Sequence, residues 1–138
     1  MKQHLIDASS LMLLMKTASI ETQLHLLRAS YLLDLTFYEV GNAIWKETCL
    51  TKFLTKNESE VLRNRMQTVL ARTDRIQSDP SYFQRIFDFS ESEELSFYDS
   101  SYLFIAKERG LILVTEDKEL RAKAAKHIEA QTAEMLLS

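Results

Sequence analysis

The chain alternates short apolar runs with longer segments whose apolar residues return every three or four positions. His4-Leu5-Ile6 and Leu111-Ile112-Leu113-Val114 are runs of the first kind and read as buried strands. Tyr31 to Leu35 reads as a further strand, Ile76 marks a short third strand, and an edge strand is expected within His127–Thr132. The 3.6-residue period predicts helices over Ala8–Lys16, with Leu11, Leu14 and Met15 as apolar face, and over Ile20–Ala29. A long helix is predicted from Thr36 to about Thr51. The next is capped by Thr55 or Asn57, with Glu58 or Glu60 in the capping-box position, and carries the stripe Val61, Leu62, Met66, Val69 and Leu70. Together these two form a hairpin outside the strand–helix rhythm. Asp79-Pro80 starts a helix to about Phe89, followed by a link over Ser90–Glu94. Ser96 opens another helix with Tyr98, Tyr102, Phe104 and Ile105 as its core stripe, and Gly110 ends it. Leu120–Lys126 and the residues through Leu137 are predicted helical. Leu11, Met12, Leu14 and Met15 exceed what one helix face needs, so part of that patch is expected to be an interface.

Strands alternating with helices imply an α/β fold with a parallel sheet and helices on both faces. No linker, low-complexity tract or long repeat divides the 138 residues, so 1–138 is read as one domain. Composition adds little beyond exclusions. With 46% apolar and 27% charged residues the chain has the balance of a water-soluble globular protein. A single cysteine, Cys49, excludes a disulfide framework and a multi-cysteine zinc site and fits a reducing cytoplasm. Neither a membrane span nor a signal peptide is expected, since Asp7 interrupts the N-terminus and Leu11–Met15 is too short an apolar core. The net charge of −3 argues against bulk electrostatic binding of nucleic acid. That argument weakens if four of the acids lie in one pocket, because the remaining surface is then +1.

Candidate chemistry lies in the placement of four acids. Asp7 directly follows the first strand, and Glu39 opens the helix that follows the second. The helix after Asp99 and the strand before Asp117 have matching lengths. About thirteen helical residues at ~1.5 Å and roughly six extended ones at ~3.3 Å each cover about 20 Å. The helix runs away from Asp99, the chain turns at Gly110 and the strand returns, so Asp99 and Asp117 finish at the same end. In a parallel sheet all four carboxylates then project from the carboxyl edge, where open α/β folds bind their ligands. Thr36-Phe37-Tyr38-Glu39 and Ser96-Phe97-Tyr98-Asp99 also share one pattern, which taken singly reads as two capping boxes. Clustered like charges repel and raise one another's pKa, and a hard divalent cation such as Mg²⁺ or Mn²⁺ relieves this through oxygen ligands. Asn42 and Lys46 follow Glu39 on one helical face: Asn42 for a carboxylate or water, Lys46 for a phosphate unless it is a solvated lysine. Thr115 and Ser9 either orient carboxylates or cap locally. Gly41, unfavourable inside a helix, suggests a close backbone approach. His4, His25 and His127 lack ligand spacing and read as structural or exposed, and no Gly-rich phosphate loop is present.

With these residues in place, the sequence resembles the PIN-domain ribonucleases, and within them the VapC-type toxins of toxin–antitoxin pairs. The matching pieces are Leu5-Ile6-Asp7-Ala8-Ser9, Leu35 to Lys46, Phe97 to Tyr102, and Leu113-Val114-Thr115-Glu116-Asp117. The resemblance implies a PIN-like three-layer α/β/α fold with an excursion helical hairpin. It implies a metal-dependent endoribonuclease in which Asp7, Glu39, Asp99 and Asp117 hold one or two Mg²⁺ or Mn²⁺ ions and Thr115 is the hydroxyl beside the last acid. It also implies an RNA substrate, a homodimer, and a cognate VapB-like antitoxin received by the hairpin between Glu39 and Thr73. Gly41 departs from the small alanine common at its position. A protein-binding module on the same scaffold, catalytically silent, is the competing reading. A phospho-accepting receiver-like domain is disfavoured because Asp7 is followed by Ala-Ser-Ser and no acidic pair is present.

Overall fold

The computed structural model describes residues 2–138. Its sheet has five parallel strands, β1 (His4–Ile6), β2 (Ser30–Leu33), β3 (Asp74–Ile76), β4 (Ile112–Val114) and β5 (Ala130–Gln131), in the order β3-β2-β1-β4-β5. Leu5 is in register with Tyr31 on one side and with Leu113 on the other. Successive strand residues point to opposite faces, so the three central strands β2, β1 and β4 each feed two cores. Leu5, Leu33, Ile76 and Leu113 enter one core; Ile6, Leu32 and Val114 enter the other. This is why β1 reads as a continuous apolar run: both of its faces are covered.

Helices α5 (Phe83–Glu93), α6 (Phe97–Arg109) and α7 (Lys118–Ala124) cover the first face through Ile86, Leu103, Ile105 and Leu120. The second is covered by α1 (Ala8–Thr17), α2 (Ile20–Arg28), α3 (Asp34–Trp45), α4 (Lys56–Arg72) and α8 (Ala133–Leu137), through Leu11, Leu27, Ile44, Met66 and Ala133 among others. The result is the expected three-layer α/β/α arrangement, with α3 and α4 as the hairpin. The chain steps outward from β1 to β2 and β3, then returns to place β4 on the other side of β1. That reversal makes a crevice between the carboxyl ends of β1 and β4, where doubly wound sheets bind ligands.

Several elements depart from the sequence reading, each for a local reason. β2 ends at Leu33 and α3 begins at Asp34, two residues before Thr36. Asp34 anchors that start, accepting bonds from Ser78 N (2.8 Å), Ser78 Oγ (2.7 Å) and its neighbour Leu35 N (2.8 Å). The helix after α3 continues only as a π-helical turn over Lys46–Leu50. α5 runs through the expected Ser90–Glu94 link and stops where Glu94 turns left-handed, φ 55. Val61 is exposed rather than core, while Leu62, Met66 and Val69 are buried as expected. Tyr98 also leaves the α6 core stripe and is 59% exposed. Leu11, Met12, Leu14 and Met15 are all buried, because α1 lies between the sheet and α3, α4 and α8; the patch is interior, not an interface. A Cβ placed on Gly41 would meet nothing within 4 Å, so no close backbone approach explains that glycine. Gly110, at φ +64, closes α6 with Leu111 N donating to Ala106 O at 2.8 Å. No helix among the described residues is long and apolar enough to cross a membrane.

Candidate active site

Asp7 sits where β1 becomes α1, and the sequence around it forces that position. Ile6 is the last strand residue; Asp7 caps the helix by accepting Ser10 N on Oδ1 at 3.0 Å. The same oxygen accepts Ser9 Oγ at 2.7 Å, and Oδ2 accepts the Thr115 hydroxyl. Thr115 Oγ1 in turn accepts Asp117 N at 3.1 Å, and Ser9 Oγ accepts Glu116 N at 3.0 Å. Ser9 and Thr115 therefore stitch the ends of β1 and β4 together around a buried carboxylate. Asp117 caps α7 through Oδ1, which accepts Leu120 N at 3.0 Å, and is exposed.

Asp99 and Glu39 approach from α6 and α3. Ser96 caps α6 by accepting Asp99 N at 3.0 Å, yet the Ser96 backbone N–H does not donate to the Asp99 carboxylate to complete a capping box. At Thr55 and Glu58 of α4 both halves of a capping box are present, so that motif is realised there and not at Asp99. Thr36 is not a cap at all. It is buried inside α3, and its hydroxyl lies 2.6 Å from Tyr102 Oη, which donates to Glu39 Oε1 at 2.7 Å. The two similar tetrapeptides thus do different work: one starts a helix, the other helps hold a carboxylate. Tyr102 is the positioning residue that the sequence reading placed only in the core. Its signal was its spacing, three residues after Asp99 on the same face of α6.

The electrostatics tie the four acids together. Burial pushes Asp7 up to about 6, against the bonds from Thr115, Ser10 and Ser9, and the charge of Glu39 adds to the rise. Burial also pushes Asp99 up to about 6, helped by the charges of Asp117, Asp7 and Glu119. Glu39 is raised by burial, with Tyr102 opposing and Asp99 adding. Tyr102 is pushed far upward by burial and Glu39, so it remains a protonated donor. Among the described residues none of Asp7, Glu39, Asp99 or Asp117 has a Lys, Arg or His ion-pair partner. Glu119, paired with Lys123 at 2.8 Å, is a fifth acid at the edge that the sequence reading did not include.

The supporting residues divide. Ser9 and Thr115 contact the acids as described. Asn42 and Lys46 are exposed, and their side chains make no hydrogen bond or ion pair among the described residues. Glu116, also not anticipated, faces away from this group: its carboxylate accepts Ala133 N at 2.9 Å and the Ser10 hydroxyl, tying α8 to α1. His127 is structural, with Nε2 2.8 Å from Glu93 Oε1.

Among the described residues no three His, Cys, Asp or Glu side chains stand close enough to form a closed set of direct ligands. The donor set nevertheless fits one kind of cation. It is all oxygen, lacks a basic partner, and holds on Asp99 a carboxylate that accepts no backbone N–H among the described residues. Mg²⁺ binds through one or two carboxylates and keeps several waters, so it suits an open edge better than a dry cage.

The five-stranded parallel sheet layered between helices is that of the PIN-like fold. No family model matches the chain. It is 32% identical over 130 residues to the protein named Exonuclease VapC9 from Pyrobaculum aerophilum, spanning 94% of this chain and 92% of that protein. The crystal structure of PAE2754, also from Pyrobaculum aerophilum, superposes with a TM-score of 0.84 at 31% identity, covering 99% of this chain and 87% of the other. FitAcB from Neisseria gonorrhoeae shares the fold, with a TM-score of 0.61 at 16% identity over 95% and 98% of the two chains. The chain belongs to the VapC family of PIN-domain nucleases.

Proposed function

We propose that this protein is a divalent-cation-dependent endoribonuclease of the VapC toxin type. The observation that carries the reading is the group Asp7, Glu39, Asp99 and Asp117: four carboxylates from four elements, linked by mutual repulsion and lacking a basic partner. Mg²⁺ or Mn²⁺ would be held there by these side chains together with water. Such a cation lowers the pKa of bound water and offsets negative charge on a phosphoryl oxygen. The protein's own part is positional. Ser9 and Thr115 fix Asp7, Tyr102 and Thr36 fix Glu39, and the capped starts of α6 and α7 fix Asp99 and Asp117.

A cognate VapB-like antitoxin would restrain the enzyme. The hairpin offers it a cleft of ≈ 540 Å³ floored by Val40, Gly41 and Ile44, walled by Met66 and Leu70, and flanked by Arg63 and Arg75. A homodimer in the cytoplasm and a single domain over 1–138 complete the reading. The competing reading, a binding module without cleavage, draws on the open spacing of the acids; it requires that divalent cations fail to bind.

The test is cleavage of linear and circular RNA by the purified protein. Cutting of the circular form, with loss of activity in EDTA and in Asp7→Asn or Asp99→Asn, is expected. The named relative is called an exonuclease, and circular RNA separates the two modes because it has no end. Full cleavage in EDTA or by either variant would overturn the assignment.

A further inference from the structure

Beside the acidic edge lies a second concavity that the nuclease reading leaves unused. It is a cleft of ≈ 400 Å³ between the carboxyl ends of β2 and β3 and the start of α5 and α6. Leu33 and Ile76 form its floor, Phe83, Phe97 and Tyr98 its aromatic wall, and Asp34, Gln77 and Ser78 its polar rim. Phe83 and Tyr98 are 56% and 59% exposed, and the Phe83 and Phe97 rings stand 5.1 Å apart at 40°. Such rings are platforms for flat groups, and unstacked bases of single-stranded RNA are recognised by stacking on them.

The two sites share their framework. The first turn of α6 sends Tyr98 to the cleft and Asp99 to the acids; α3 gives Asp34 and Leu35 to the cleft, and Glu39 to the acids. A strand with one base in the cleft therefore runs its sugar–phosphate along the edge where cleavage is proposed.

Charge decides what kind of group fits. The lining holds two carboxylates, Asp34 and Asp79, and no Lys or Arg. A phosphate is excluded on that ground, and a neutral planar group with N–H donors is favoured. Asp34 is kept below the usual carboxylate range by its bonds from Ser78 and Leu35, so it is ionised and only accepts. Three bonds occupy it, out of about four acceptor positions on a carboxylate. Gln77 is exposed, and its amide has no hydrogen-bond partner among the described residues. Guanine is the base that presents two adjacent N–H donors and a carbonyl on one edge, which a carboxylate and an amide complement.

We propose that this cleft is a nucleobase pocket selective for guanine, with Phe83, Phe97 and Tyr98 stacking on the base and Asp34 and Gln77 reading its edge. The proposal rests on the nuclease reading for its role in cleavage, but binding of the base does not.

Two measurements on the whole protein keep the readings apart. In the first, guanosine, inosine and adenosine are titrated into the metal-free protein and followed by NMR. Guanosine is expected to shift the Phe83, Tyr98 and Gln77 signals. Inosine, which lacks the 2-amino group, and adenosine should bind at least tenfold more weakly, and Phe83→Ala and Gln77→Ala should each weaken guanosine at least tenfold. In the second, the bases flanking the cleavage sites are sequenced. The wild type is expected to cut beside guanine, and Gln77→Ala to cut with relaxed preference. If no RNA is cut, the nuclease reading fails while the nucleoside titration still decides the pocket. The pocket is overturned by equal responses to the three nucleosides, by shifts outside the cleft only, or by a dimer that covers the cleft and is dissociated by Phe83→Ala.

Discussion

Replacing Asp7 with Asn in metal-free protein should raise stability at neutral pH and lower it in acid. Burial carries the Asp7 carboxyl from 3.8 to about 6 in the folded state. At ~1.4 kcal/mol per pKa unit, keeping it ionised costs about 3 kcal/mol at pH 8. The sign follows from proton binding. Between about pH 4 and pH 6 the folded state holds a proton that the unfolded state has lost, so unfolding free energy falls as pH rises through that window. Asn keeps the cap, since it ranks with Asp at that position, but its amide nitrogen cannot accept from Thr115, a loss of about 1 kcal/mol. The net expectation is a gain of about 2 kcal/mol at pH 8 and a loss of about 0.5 kcal/mol at pH 4, where the unfolded carboxyl is still partly ionised. Asp99, raised in the same direction and half exposed, is present in both proteins and largely cancels in the difference. Asp34, depressed rather than raised, stabilises above its unfolded pKa and loses this as pH falls further. Urea unfolding in EDTA at several pH values reads the difference directly. A variant less stable than wild type at pH 8, or a difference that does not change sign between pH 8 and pH 4, would refute the burial argument.

Other expectations follow from single contacts. Tyr102→Phe removes the donor to Glu39 and leaves Thr36 without its partner; RNA cleavage or Mn²⁺ affinity should drop roughly 10–100-fold, as for other groups that orient metal ligands. Rescue of Mn²⁺ affinity is not expected at any pH, because the lost group is a hydrogen bond and not a charge. Leu11→Ala should cost roughly 2–5 kcal/mol in denaturant melts, the range for a core leucine; a cost near zero would restore α1 as an interface. Gly110→Ala should cost about 1 kcal/mol because φ is +64 there. Glu116→Ala frees Ala133 N and the Ser10 hydroxyl, so amide exchange should quicken in α8 while cleavage stays within about twofold.

What the sequence made legible was periodic. The apolar runs of β1 and β4 and the cap at Ser96 are local signals, and local signals survive folding. Asp7, Asp99 and Asp117 could be placed together because strand and helix lengths fix where each chain segment returns. The register of α3 was not legible. Its start at Asp34 depends on Ser78, forty-four positions away, so Thr36 looked like a cap when it is a buried contact of Tyr102. Interior and interface also read alike in α1, because apolar residues all round a helix say that it is covered but not by what. Asn42 and Lys46 show the converse: spacing put them on the face of Glu39, but one helical face can point partly to solvent.

The nuclease proposal requires a divalent cation held by the acids at the ends of β1 and β4, in α3 and at the start of α6. Calorimetric titration of Mn²⁺ into metal-free protein at pH 7.5 tests it without any substrate. Saturable binding is expected that weakens as pH falls through about 6, where Asp7 and Asp99 take up protons, and that is lost in the double variant Asp7→Asn, Asp99→Asn. Absence of binding by the wild type, or binding of equal strength by the double variant, would contradict it.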